Sequence, residues 1–201
     1  SYPTVQAAVT AAQPGDTVIL AAGTYNEAIT TARNGLDGSR ITIDGGGVAT
    51  VQKFALNHTY HTLQNLTVKG DISAYQQQIE VKPGASWLII DNCTVDINRQ
   101  YKRYGIGWTG SNGAPKADDC IIQNSRVIQG WAYPMVELDG ERTIFRNNTV
   151  QDGWDVDLMR LFGDGVHIHD NTCADNPVTP LANLPPPFGG GTVENHPDFI
   201  Q

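Results

Sequence analysis

The sequence predicts an all-β fold, a right-handed single-stranded parallel β-helix with a short N-terminal capping α-helix. Three observations point to it. First, a phrase of the form apolar-x-Asn-x-x-Val recurs along the chain. It reads Leu63-Gln64-Asn65-Leu66-Thr67-Val68, Ile90-Asp91-Asn92-Cys93-Thr94-Val95, Ile122-Gln123-Asn124-Ser125-Arg126-Val127 and Phe145-Arg146-Asn147-Asn148-Thr149-Val150, with a degenerate copy Ile168-His169-Asp170-Asn171-Thr172-Cys173. The Asn/Asp position advances through 65, 92, 124, 147 and 170. A spacing mostly in the twenties means one solenoid coil per copy, and coils that cannot bury their own apolar face must stack. Second, segments such as Met135-Val136-Glu137-Leu138 and Val166-His167-Ile168-His169 alternate with the strand period and lack a helical stripe. Third, Gly84, Gly130, Gly140, Gly153, Gly163 and Gly165 punctuate the intervals between them.

The elements follow in order. Residues 1–16 form the cap: Pro3 and Thr4 precede Val5, Ala8, Val9 and Ala12, an apolar stripe at helical spacing, and Pro14-Gly15-Asp16 stops it. Such a helix covers the open apolar end of a solenoid. Residues 17–175 form the stacked coils, with Thr17-Val18-Ile19-Leu20 as the first strand and Gly23-Thr24-Tyr25 as the turn after it. The repeated Asn sits at a turn, where it tolerates left-handed backbone and its amide can bond the same position one coil away. Asn57-His58-Thr59, Asn65-Leu66-Thr67, Asn92-Cys93-Thr94 and Asn147-Asn148-Thr149 match the glycosylation sequon, but three of these four are the repeat itself and read as turn ladders. Register places Cys173 in the inward column of Val68, Val95, Val127 and Val150, and Cys120 inward with Leu88 and Thr143. Cys93 falls in the turn column with Ser125 and Asn148. All three cysteines read as unpaired. Residues 176–195, with Pro185-Pro186-Pro187 and Gly189-Gly190-Gly191, form a long loop, and residues 196–201 open a further coil that is expected to be cut short. An uncapped final strand would favour association between chains, a homotrimer included.

The chain of 201 residues carries 13 basic and 21 acidic residues, a formal net charge of −8. That argues against nucleic acid as a partner. A polyanionic glycan is repelled overall unless a local basic patch or a bound cation intervenes. No run of residues is long enough to span a membrane as a helix. Ser1 opens directly on the cap, which reads as a mature or excised chain.

The segment Val5-Gln6-Ala7-Ala8-Val9, Ala12-Gln13-Pro14-Gly15-Asp16-Thr17-Val18 and Gly23-Thr24-Tyr25 closely resembles the N-terminal cap and first coil of secreted β-helix polysaccharide-degrading proteins. It resembles in particular the chondroitinase B and alginate lyase group. The same cap pattern occurs in phage spike proteins. The resemblance implies an extracellular or virion-surface protein that acts on polysaccharide. It implies either a lyase or depolymerase of an acidic glycan or, from another class, a non-catalytic spike or adhesin that binds surface polysaccharide. The resembling lyases use a Lys/Arg pair with Ca²⁺ held by acidic and amide side chains, so Ca²⁺ is the cofactor implied.

Register supplies the candidate site. Lys82, Glu137 and Arg160 each lie ten residues before an Asn/Asp position. Alternation turns them outward on one sheet face, with Glu137 and Arg160 about 4.8 Å apart along the axis. Tyr101 and Tyr104, Trp131 and Trp154 lie in segments arriving at one edge of that face, and aromatic faces stack on sugar rings at low entropic cost. Eliminative cleavage of a uronate glycan needs a neutralised carboxylate, a base for the adjacent proton and an acid for the leaving oxygen. A hydrolase needs two carboxylates instead, and Glu137, Asp139, Asp155, Asp157 and Asp164 are available. His196 and Asp198, in Asn195-His196-Pro197-Asp198, are further candidates as acid, base or Ca²⁺ ligand. His167 and His169 project outward from another sheet with no third ligand evident.

Overall fold

The computed structural model describes residues 1–111, 113–153 and 156–174. They form a parallel β-solenoid of about six turns with one short N-terminal helix. The helix, α1 (Val5–Ala11), begins where the Thr4 side chain accepts a hydrogen bond from the Ala7 N–H, a standard N-cap. Its first free N–H groups, on Val5 and Gln6, donate to the Glu27 carboxylate at 3.2 and 3.0 Å, which ties the cap to the coil beneath it. Val5 and Val9 are buried on the solenoid end, as the apolar stripe requires.

Among the described residues every pairing between strands is parallel, and the pairings generate three inward columns. One runs Val18, Ile43, Leu63, Ile90, Ile122, Phe145 and Ile168. A second runs Val51, Val68, Val95, Val127, Val150 and Cys173. A third runs Ile29, Phe54, Ile79, Ile106, Val136 and Met159. The first two are the columns expected from the repeat. Four valines of the second, Val68, Val95, Val127 and Val150, have no exposed surface, while Cys173 at the end of the described coils is half-buried. Burial of each such side chain contributes about 1.5–3 kcal/mol. Where a turn was expected, Gly23–Thr30 is a strand. Its pairing with Ala49–Ala55 supplies backbone partners that its Gly-led local composition does not signal.

The turn residues Asn65, Asn92, Asn124, Asn147 and Asp170 all have left-handed backbone, φ between 48° and 56°. The side-chain ladder is partial. Asn92 Nδ2 donates to Asn65 Oδ1 at 2.8 Å, but Asn124 Nδ2 turns to Asp91 Oδ1 at 2.7 Å. A stricter ladder runs one residue on, in the interior. The Cys93 N–H donates to Ser125 Oγ, the Ser125 N–H to Asn148 Oδ1 and the Asn148 N–H to Asn171 Oδ1, at 3.1, 2.9 and 2.9 Å. Each side chain satisfies the backbone of the preceding coil, so the polar atoms buried in the corner are paired. Cys93, Cys120 and Cys173 are all free thiols, and burial pushes Cys93 and Cys120 up to about 12.

Val127→Asp places an unpaired charge between Val95 and Val150 and is expected to cost more than about 4 kcal/mol in chemical denaturation. Its exposed outward neighbour tests the column: Arg126→Ala is expected to stay within about 0.5 kcal/mol of the parent.

Candidate active site

Four successive strands, Gln77–Val81, Tyr104–Trp108, Val136–Asp139 and Met159–Phe162, form one sheet. The residue after each inward Ile79, Ile106, Val136 and Met159 points outward, giving the column Glu80, Gly107, Glu137 and Arg160. Glu137 and Arg160 are paired as expected from their spacing. Lys82 is not in their register. Glu80 takes that place, and Lys82 follows two residues later. Twelve residues separate Glu80 from Asn92, whereas ten separate Glu137 from Asn147. The turn between the sheets is longer in the earlier coil, so counting back from the Asn overshoots.

Glu80 is flanked by two ammonium groups, Lys82 Nζ at 2.6 Å and Lys53 Nζ at 3.0 Å. Burial pushes the Glu80 carboxyl up, but the hydrogen bonds from Lys82 and Lys53 outweigh it and hold the group below the usual carboxylate range. Gly107 leaves a gap in the column that the Gln77 side chain covers; a Cβ there would lie 2.5 Å from Gln77 Cγ.

Glu137 is in the opposite situation. Arg160 Nη1 stands 3.7 Å from Glu137 Oε2, but its Nε donates to Asp157 Oδ2 at 2.6 Å and Nη2 contacts the same oxygen. The guanidinium thus lies between two carboxylates and favours Asp157. Burial raises the proton affinity of Glu137, Arg160 opposes the rise, Asp157 adds to it, and the net shift is upward.

A β-bulge brings Tyr104 to this group. The N–H groups of Gly105 and Ile106 both donate to the Met135 carbonyl, each at 3.0 Å, so two residues face one. Gly105 takes the inward place, where a Cβ would lie 2.5 Å from Val127 Cγ1. Tyr104 before it faces out. Burial, with Glu137 and Tyr133 nearby, pushes its phenol up to about 12, opposed by Arg160. The Tyr104 ring meets Tyr133 edge-on at 5.0 Å, Tyr133 meets Tyr75 at 5.5 Å, and Tyr101 meets Trp131 at 5.2 Å. Among the described residues the insertions before Tyr104–Trp108 and Val136–Asp139 thus bring their rings together as an aromatic wall.

Tyr101, Tyr104 and Trp131 lie in that wall, with Tyr104 near Glu137 and Arg160; Trp154, His196 and Asp198 fall outside the described residues. His167 and His169 are exposed, and His169 Nδ1 lies 2.8 Å from Asp170 Oδ2. Sequence reasoning missed Glu80 and Tyr75. The match of Ile79-Glu80-Val81 to Val136-Glu137-Leu138 was the available signal for the first. Tyr75 carries none, since its role depends on a neighbouring coil.

A calcium ion needs several convergent oxygen ligands. Glu137 and Asp157 are both turned onto Arg160, whose charge fills the space between them. Among the described residues no group of three or more His, Cys, Asp or Glu side chains could hold a metal ion. A separate cleft of about 460 Å³ lies between α1 and the first coil, lined by Tyr2, Val5, Ile19 and Tyr25 among others, and shares no residue with this face.

No family model matches the chain, and no curated protein matches it. Among solved structures it is similar to an alginate lyase from Paenibacillus sp. str. FPU-7. That match has 16% identity and a TM-score of 0.41, over 86% of this chain and 95% of that one. It is also similar to a mannuronic acid specific polysaccharide family 6 lyase from human gut microbiota. Here the identity is 13% and the TM-score 0.44, over 85% of this chain and 55% of the other. At these identities the likeness concerns the β-solenoid fold alone.

The two glutamates predict opposite pH responses. With its folded value depressed, Glu80 contributes stability above the unfolded carboxyl range that is lost as pH falls through the folded value. Glu80→Gln is expected to destabilise the protein by about 1–3 kcal/mol at neutral pH and by little in acid. With its folded value raised, Glu137 weakens the fold as pH rises through the carboxyl range and it ionises. Glu137→Gln is expected to be more stable than the parent at neutral pH, Arg160 still being held by Asp157, and to lose that advantage in acid. Denaturation midpoints measured from acidic to neutral pH check both.

Proposed function

We propose that the protein is a polysaccharide lyase that cleaves an acidic, uronate-containing glycan on the outward face carrying Tyr104, Glu137 and Arg160. The observation that supports this most is the placing of a phenol, a carboxylate of raised proton affinity and a guanidinium on one face beside an aromatic wall. The guanidinium, held on Asp157 through Nε and Nη2, would offer Nη1, which stands 3.7 Å from Glu137, to the uronate carboxylate in a charge-assisted hydrogen bond and so acidify the adjacent C5 proton. Glu137 would take that proton, and a carboxylate with a raised pKa is the stronger base for it. The electrons of the C5–H bond would form the C4=C5 double bond as the C4–O4 bond breaks. The Tyr104 hydroxyl would protonate the leaving O4. Transfer of the proton from Glu137 to the Tyr104 phenolate, directly or through solvent, would restore the starting state. Lys82 is held on Glu80 and has no role in this scheme.

The test is incubation with uronate polymers, following both reducing ends and the ultraviolet absorbance of the unsaturated uronate. Both signals are expected to rise together. Arg160→Ala is expected to lower kcat/KM by roughly 10²–10³-fold and Tyr104→Phe by roughly 10²–10⁴-fold, the latter with the denaturation midpoint held. Reducing ends without the absorbance would mean hydrolysis by the carboxylates. Glycan retention with neither signal would mean a binding module of the spike or adhesin kind.

A further inference from the structure

Three of the cations near this face are paired with carboxylates. Lys53 and Lys82 share Glu80, and Arg160 is held by Asp157 and Glu137. Arg103 gives its guanidinium to the carbonyls of Ile72 and Tyr101. Lys102 differs. Its ammonium lies 5.4 Å from the Tyr75 ring centre and 5.0 Å from that of Tyr101, and it donates to Tyr75 Oη at 3.3 Å. Among the described residues no carboxylate pairs with it. Aromatic faces hold a cation without cancelling its charge, so Lys102 can still meet an anion.

Its backbone is also held in place. The Lys102 N–H donates to Trp131 O at 3.1 Å in the next coil, and its carbonyl accepts from the Tyr75 N–H at 2.7 Å in the previous one. The backbone takes the left-handed conformation there, φ 57°, which is uncommon for a lysine. The edge-on contacts from Tyr75 through Tyr133 to Tyr104 then join this ammonium to Glu137 and Arg160 along a single wall. In a protein of net charge −8, a local uncompensated cation beside sugar-stacking rings is what an acidic glycan requires.

We infer that Lys102, caged by Tyr75 and Tyr101, is a carboxylate-anchoring subsite for a second acidic sugar of the same glycan, away from the bond that is cleaved. The subsite rests on the polysaccharide reading above but acts in binding and not in chemistry. Lys102 therefore sets selectivity for charged over neutral chains and fixes which linkage reaches Tyr104.

Titration calorimetry tests this in the Tyr104→Phe background, which prevents turnover. The probes are hexasaccharides of mannuronate, guluronate and galacturonate together with their carboxyl-reduced, neutral counterparts. Lys102→Met is expected to weaken binding of the best acidic hexasaccharide about tenfold and to flatten its salt dependence. Affinity for the reduced hexasaccharide is expected to stay within about twofold of the background, and Lys102→Arg to recover most of the loss, because a guanidinium also stacks on tyrosine. Equal weakening for acidic and reduced probes would make Lys102 a support for the rings and overturn the subsite. Undiminished binding of the acidic probe by Lys102→Met would overturn it too, while leaving the polysaccharide reading intact. Failure of the chain with native Tyr104 and Lys102 to bind any acidic hexasaccharide would sink both.

Discussion

The parallel hydrogen-bond ladder between coils is the constraint on which the rest of the structure depends. Each coil has little apolar surface of its own to bury. Only when strands pair in register do Val68, Val95, Val127 and Val150 fall into one column and lose all contact with water. The same register, read on the opposite side of the sheet, fixes which charged groups become neighbours. Glu137 meets Arg160 because Val136 packs on Met159. Burial and chemistry are thus two faces of one alignment.

The face carrying Glu137 and Arg160 departs from regular pairing at one point. A plain alternating strand at Tyr104–Trp108 would put consecutive side chains on opposite faces throughout. The shared Met135 carbonyl admits an extra residue, Gly105 absorbs it inside, and Tyr104 is presented beside Glu137. The charge pattern is equally local. Two lysines depress Glu80, while one arginine shared with Asp157 leaves Glu137 raised. Two glutamates in one column therefore differ in proton affinity because of their neighbours and not because of their depth alone.

Much of the fold was legible in the sequence, because the repeat is a direct image of the columns. Asn65, Asn92, Asn124 and Asn147 mark the left-handed turns, and the residues around them fall inward or outward by parity. The Glu137 and Arg160 pair was legible for the same reason, since their coils have equal length. Lys82 was misplaced because turn length varies between coils while pairing does not. The strand at Gly23–Thr30 was hidden because its partner, not its composition, makes it a strand. The bulge at Gly105 and the role of Tyr75 were beyond reach, since both depend on contacts between coils that no single stretch of residues encodes. The inner polar ladder through Ser125, Asn148 and Asn171 could have been found from the residue following each repeated Asn.

The uneven coil lengths have a consequence for how such a protein changes over time. Successive repeats are separated by 27, 32, 23 and 23 residues, yet their strands stay aligned. The extra residues go into the turns. A duplication or deletion in the wall around Tyr101 or Trp131 would alter the rim without shifting Glu137 against Arg160. Selection can therefore reshape what the rim admits while the inner columns stay under a separate pressure to pack.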